Sequence, residues 1–231
     1  MRALCVLHDA ASETGMIGAA LRECGWQVDE INVVPLTRFH EPNVSMSFPD
    51  SDDYDLLVPM GAPWSAFDDA GIGNWLLPEL RWLADAVDRG GAVFGICFGA
   101  QVLARSLGGT VARSAQPEIG WYDVTSEDLP NGPWLQWHFD SFTVPPGAVV
   151  LASNASGPQA YRIGRSMGVQ FHPEVTTAGL ARWVANGGEQ QLRARGMTPE
   201  AVLAESDERA DAARDHATAL VTTYLKRFFP A

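Results

Sequence analysis

The heptapeptide GICFGAQ, residues 95–101, puts Cys97 between an apolar run and a helical one, and it constrains the fold more than any other stretch of the chain. AVFGI before it reads as a fully buried strand and QVLARSL after it has helical spacing, so the cysteine falls on a strand-to-helix junction. Nucleophile elbows occupy such junctions. Gly95 and Gly99 fit a sharp turn with backbone packed closely on either side, where a β-carbon has no room. The helix start adds unpaired N–H groups and a dipole that stabilise a thiolate, the reactive form of the residue. A cysteine taken at random is most often inert packing. The paired glycines and the helix start point here to a nucleophile.

The elbow sits inside a regular alternation. Strands are expected over 2–7, 26–34 and 54–59 and helices over 13–24 and 74–89, with a polar loop over 37–53. Strands alternating with helices imply a parallel sheet. Beyond the elbow helix the pattern changes to short strand-like runs, IGWYDVT, SFTV, AVVLAS, QAYRI and SMGVQF, expected as an antiparallel extension or edge. From about residue 176 onward the chain is Ala- and Arg-rich, with two helical stretches separated near 196–199 and the second running toward Tyr224. The reading is an α/β protein with one domain over 1–231 and a C-terminal helical extension over about 176–231.

Length and charge narrow the function. The 231 residues fit one large domain or two small ones, and no linker separates a second. Sixteen basic against 28 acidic side chains give a formal charge of −12, which repels phosphate backbones and anionic headgroups. Nucleic acid and membranes are therefore not expected as partners. The opening MRALCVLHDA has one basic residue and an apolar run cut short by His8 and Asp9, unlike a secretory signal or a membrane span. Three cysteines without CxxC spacing suit a reducing cytoplasm, with Cys5 and Cys24 expected as buried filler.

A reactive thiol needs a base, and the base needs an orienting group. Of five histidines, His172 stands out in GVQFHPE at the end of an apolar run, with Glu174 two residues on and Pro173 between them. In extended geometry the two side chains project to one side, and the proline restricts both itself and His172. Glu174 would then set the tautomer of His172 and stabilise its imidazolium, which makes Cys97, His172 and Glu174 a candidate triad. Backbone donors for an oxyanion are available from Phe98 at the elbow and, with a weaker signal, from the turn MGAPWS after the strand at 54–59. His8 lies at a strand end that could face the site, whereas His40 and His216 have no constellation around them. His138, Asp140, His172 and Glu174 are all possible metal ligands, but the spacing is not that of a metal site and none is assigned.

With GICFGAQ, GVQFHPE and the strand-end MGAPWS in this order, the chain resembles the class I, or triad-type, glutamine amidotransferases. EIGWYDV and WHFDSF resemble segments of free-standing members related to the glutaminase domain of GMP synthase, and the likeness covers roughly residues 4–174. The resemblance implies a flavodoxin-like fold, a mainly parallel sheet flanked by helices, and no cofactor. It implies that Cys97 attacks the glutamine side-chain amide, that His172 protonates the departing ammonia, and that water hydrolyses the thioester. It also implies an oxyanion hole from the N–H groups of Ala62 and Phe98, a glutamine pocket lined by Gly61 and Gln101, and a substrate-binding role for His138 and Asp140, the latter as partner of the α-ammonium. Two glycines of the family pattern are replaced: GAP stands for GGP, and HFD for HGD. Ala62 tolerates fewer backbone angles than glycine, and Phe139 beside the pocket leaves room for a γ-glutamyl substrate other than glutamine.

Three functions follow as expectations. The first is glutamine hydrolysis with ammonia passed to a separate ATP-dependent synthetase, since the chain has no GxxxxGK[ST] phosphate loop. The second is a free-standing hydrolase of γ-glutamyl amides or peptides. The third is a catalytically silent regulatory or binding protein of the same fold, against which the complete triad argues.

Overall fold

Parallel strands need crossover helices, and the first hundred residues supply them in alternation. The computed structural model of the chain describes residues 1–230. The order is β1 (Arg2–Asp9), α1 (Gly15–Glu23), β2 (Gln27–Val34), β3 (Leu56–Pro59), α2 (Asp69–Asp88), β4 (Ala92–Ile96) and α3 (Phe98–Ser106). Helix α2 starts five residues before the expected 74 because Asp68 caps it, its carboxylate accepting from the Gly71 N–H at 2.9 Å. Then come β5 (Val111–Val124), β6 (Gly132–Phe142), β7 (Val149–Asn154), β8 (Gly157–Ile163) and β9 (Ser166–Val169).

Seven strands form one sheet in the order β2-β1-β3-β4-β9-β8-β7. The pairs from β2 through β9 are parallel, and β8 and β7 continue the sheet antiparallel. The parallel part has the 2-1-3-4-5 order of a flavodoxin-like sheet, with β9 as its fifth strand, and such sheets bind ligands at the carboxyl ends of their strands. Those ends carry His8, the Met60–Gly61–Ala62 turn, Cys97 and the segment leading to His172.

The expected strands after α3 were too short. Instead of separate runs near 119–125 and 141–144, β5 and β6 are 14 and 11 residues long and form a two-stranded antiparallel sheet of their own. The reason is an inverted pattern. In β6 the buried positions include Gln136, His138 and Asp140 while Trp137 and Phe139 are only partly buried, so a polar face points inward and hides the strand.

The C-terminal segment folds as α4 (Thr177–Trp183), a kink at Asn186 and Gly187, α5 (Glu189–Arg193), α6 (Pro199–Glu208) and α7 (Ala210–Phe228). The expected second helix is thus two, meeting at Arg209, and it runs past Tyr224 to Phe228. Alternation along β1 sends Ala3 and Cys5 to a core shared with α1 and α7, and Leu4 and Val6 to a core shared with α2 and α3. A third cluster, with Ile119, Leu135, Leu180 and Leu192, joins the two-stranded sheet to the C-terminal helices. Cys5 is buried and its thiol is pushed up to about 12, mainly by burial. Cys24, expected to be buried, is exposed because it is the C-cap of α1 and faces outward. Among the described residues no helix is long and apolar enough to cross a membrane.

Helix α7 belongs to the main core, with Leu220 fully buried and Tyr224 stacked on Phe94 of β4 at 5.2 Å. Leu220→Ala is expected to cost about 2–5 kcal/mol in a urea unfolding titration. An unchanged unfolding midpoint would show that α7 is an appendage to the sheet.

Candidate active site

Cys97 is the only non-glycine residue at positive φ among those described, with φ 50° and ψ −106°. Such a conformation costs on the order of 1–3 kcal/mol and persists only where its surroundings enforce it. Here the Cys97 N–H donates to the Val169 carbonyl at 2.8 Å and the Gly99 N–H to the Met60 carbonyl at 3.1 Å, tying the elbow to β9 and to the end of β3. A β-carbon on Gly99 would lie 1.9 Å from the Pro59 carbonyl oxygen, and one on Gly95 would lie 2.6 Å from the Gly99 carbonyl oxygen. Both glycines are required by close backbone approach.

β9 ends at Val169, so His172 and Glu174 sit on the segment beyond it. That segment is pinned at two points: the His172 N–H donates to the Leu135 carbonyl of β6, and the Glu174 carbonyl accepts from the Met16 N–H of α1, each at 2.8 Å. His172 Nδ1–H donates to Glu174 Oε1 at 2.7 Å. The edge of Trp183 closes against the imidazole, with centroids 4.8 Å apart. The other ring nitrogen, Nε2, is buried and makes no hydrogen bond. Gly61 lies against both His172 and Cys97: a β-carbon there would lie 3.2 Å from His172 Cε1 and 4.0 Å from Cys97 Cβ. Burial disfavours the charged imidazole, yet the Cys97 thiolate and then the Glu174 carboxylate outweigh it and hold the His172 pKa well above its ordinary 6.5.

Cys97, Gly61, Ala62, Phe98, Gln101, His138, Asp140 and His172 line one cleft at the carboxyl ends of the strands. The N–H groups of Ala62 and Phe98 make no hydrogen bonds among the described residues. Ala62 has negative φ, so the alanine sits there without strain. Gln101 Nε2–H donates to Gln170 Oε1 at 3.1 Å and to the Asp140 carbonyl at 3.4 Å. Gln170 in turn donates to Cys97 Sγ at 3.5 Å.

Asp140 lies inside β6 rather than in a turn, and its carboxylate accepts from Arg113 Nη1 at 2.9 Å. Arg113 lies over the Phe139 ring, 5.4 Å from its centroid. His138 turns its nitrogens to other partners: Nδ1 lies 2.9 Å from the Asp140 carbonyl oxygen and Nε2 lies 3.0 Å from the Glu118 carboxylate. Glu118 also accepts from Asn154 and Gln159. His138 therefore fixes the shape of β6 beside the cleft, while Asp140 and Arg113 present charge to it.

Sequence reasoning missed Gln170, Arg113, Trp64, Trp137 and Trp183, all but the first of which line the cleft. Gln170 was within the GVQFHPE motif and two residues from His172, a signal that could have been used. Trp64 and Trp137 stand inside MGAPWS and WHFDSF and could have been found the same way, whereas Arg113 and Trp183 are brought in by a strand and a helix distant in sequence and gave no signal. Among the described residues no group of three or more His, Cys, Asp and Glu side chains is placed to hold a metal ion.

Comparison with known proteins gives a family and a fold. The family model described as glutamine amidotransferase class-I matches residues 7–190. The chain is 38% identical over 141 residues to the GMP synthase [glutamine-hydrolyzing] of Aeropyrum pernix, covering 53% of this chain and 27% of that protein. It is 35% identical over 162 residues to the enzyme of that name from Thermus thermophilus, covering 64% and 30%. The chain thus spans less than a third of these relatives. In fold it is similar to a glutamine amidotransferase from Thermotoga maritima (TM-score 0.81, 24% identity, 100% and 99% of the two chains). The corresponding figures for one from Methylobacillus flagellatus are 0.83, 24%, 98% and 95%.

Because the thiolate is the leading influence raising the His172 pKa against burial, removing it should reverse the balance. Cys97→Ala is expected to move the His172 titration midpoint downward, read from imidazole nitrogen shifts by NMR. A midpoint that stays put would mean that Glu174 alone sets the charge of the ring.

Proposed function

The chain belongs to the class-I glutamine amidotransferase family, and on that premise we propose that it hydrolyses the side-chain amide of glutamine to glutamate and ammonia through a thioester on Cys97. The observation that carries this reading is the strained elbow cysteine beside a buried histidine whose other nitrogen donates to Glu174 at 2.7 Å.

The Cys97 thiolate attacks the side-chain amide carbon (Cδ) of glutamine, and the amide oxygen becomes an oxyanion that accepts from the Ala62 and Phe98 N–H groups. His172, already an imidazolium, gives its proton to the amide nitrogen, the C–N bond breaks and ammonia leaves. Neutral His172 then takes a proton from water as the hydroxide adds to the thioester carbon. Collapse of that second intermediate expels the thiolate and frees glutamate, restoring the ion pair. Glu174 holds the imidazole in the required tautomer throughout. Asp140 receives the α-ammonium of glutamine, and Arg113 beside it suits the α-carboxylate. Gly61 and Gln101 shape the pocket floor, and His138 supports it from behind.

We take the whole chain, 1–231, as one amidotransferase unit in which the C-terminal helices supply a pocket wall through Trp183. The ammonia is passed to an ATP-dependent synthetase. The reading rests on the names of the relatives and on the part of those proteins that the chain matches. Ammonia release from glutamine is expected to be weak for the chain alone and stronger with its partner; no release under either condition would sink the assignment.

A second reading, hydrolysis of larger γ-glutamyl amides, is favoured by the aromatic walls of the cleft, Phe39, Trp64, Trp137, Phe139 and Trp183. The leaving group of glutamine is a bare NH2 and needs no such walls. Ranking glutamine against γ-glutamyl anilides and dipeptides by kcat/KM separates the two.

Cys97→Ala is expected to lower kcat by on the order of 10⁴-fold or more without unfolding the protein. Cys97→Ser should be nearly as inactive, because a hydroxyl is far less acidic than a thiol. Glu174→Gln should lose less than His172→Ala, since orientation is a partial contribution and the base is not. Steady-state ammonia release measures all four, and an active Cys97→Ala protein would overturn the mechanism.

A further inference from the structure

At the end of β1 lies a titratable pair for which the mechanism above has no use. His8 and Glu79 are both fully buried, 71 residues apart in sequence. His8 Nε2–H donates to both Glu79 carboxylate oxygens, at 3.0 and 3.2 Å. Its Nδ1–H donates to the Gly61 carbonyl at 3.3 Å. The ring cannot swing away, because Phe98 meets it edge-on at 4.7 Å and Trp75 lies tilted against it at 5.5 Å.

We propose that His8, clamped by Glu79, is a positioning residue that sets the Gly61–Ala62 peptide so that the Ala62 N–H points at the oxyanion. The inference rests on the reading above, in which Ala62 supplies one of the two donors.

The backbone leaves this peptide in need of a hold. Met60 is tied on both sides, its N–H donating to the Val6 carbonyl at 3.0 Å and its carbonyl accepting from Gly99 at 3.1 Å. One residue later the sheet has ended, and His8 is the described partner of the Gly61 carbonyl. In a trans peptide the C=O and the following N–H point in opposite directions. With the Gly61 oxygen drawn down to His8, the Ala62 N–H is turned up into the cleft shared with Cys97 and His172.

The pair also acts electrically. A hydrogen bond from a cation to a peptide oxygen polarises the amide and strengthens its N–H as a donor. Burial disfavours the charged form of His8, but Glu79, followed by the Gly61 carbonyl and Asp9, outweighs it and raises the pKa above the usual 6.5. A buried ion pair is poor at stabilising a fold compared with apolar residues of the same volume. What this one does is hold a peptide plane beside the nucleophile.

The test compares His8→Gln with His8→Asn in a Glu79→Gln background. A glutamine amide nitrogen falls near the Nε2 position and loses the Gly61 contact, whereas an asparagine amide nitrogen falls near Nδ1 and keeps it. For His8→Gln we expect kcat on glutamine to fall about 10²-fold with KM within about threefold, as for loss of one oxyanion donor. Affinity for glutamate γ-semialdehyde, whose adduct with Cys97 carries a tetrahedral oxygen, should fall by the same factor. Alkylation of Cys97 by iodoacetamide, which forms no oxyanion, should stay within about twofold. The asparagine variant should recover about tenfold of the lost kcat. The inference is overturned by an indifferent kcat in His8→Gln, by alkylation falling in step with kcat, or by an asparagine variant no better than the glutamine one. An inert parent protein overturns the proposed function, and this inference with it. An active parent with indifferent His8 variants overturns this inference alone.

Discussion

The approach of two backbones underlies everything else at the site. Gly99 presses against Pro59 so closely that a methyl group would overlap the carbonyl, and its N–H donates to Met60 in the same contact. This one junction sets the height of α3 against the end of β3. It forces the turn at Cys97 into positive φ and brings the Gly61–Ala62 turn to the same level as the elbow. Strain at Cys97 and proximity of the Gly61–Ala62 turn are therefore one constraint seen from two strands.

Around that junction the protein buries three histidines, each facing a carboxylate: His8 with Glu79, His138 with Glu118 and His172 with Glu174. Desolvating such pairs is costly, and hydrophobic side chains would fill the space at least as well. Their arrangement makes sense by position. One pair abuts Cys97, one shapes the strand that carries Asp140, and one lies beneath the Gly61 carbonyl. Each fixes a different wall of one cleft. The rigidity of the site thus comes from polar bonds of defined direction where apolar contacts would leave it free to shift.

How much of this was legible in the sequence depends on whether the signal was local. The elbow was legible because a buried strand, two glycines and a helix start lie within a dozen residues, and AVFGI forms β4 over the expected residues. His172 and Glu174 were legible as a pair two residues apart. β6 was not, because its inward face carries Gln136, His138 and Asp140 and so reverses the usual pattern. The His8–Glu79 pair was not, because its members lie on a strand and a helix with 70 residues between them. Trp183 was hidden for a related reason: its place against His172 is decided by how α4 packs under the two-stranded sheet.

The bond from the Met16 N–H to the Glu174 carbonyl has a consequence for the order in which the molecule is built. It joins the first helix to the last member of the candidate triad, across 158 residues of chain, and Gly15 at φ 47° leaves no clearance for anything but that docking. Contacts of such high sequence separation form late, since the loop between them must close first. The Cys97 thiol can be in place once β3, β4 and β9 have paired, but His172 and Glu174 are seated only when the opening βα unit clasps the segment beyond β9. An emerging chain therefore lacks the Cys97–His172–Glu174 grouping at least until residue 174 of 231 has been made, and that grouping is a late event in folding.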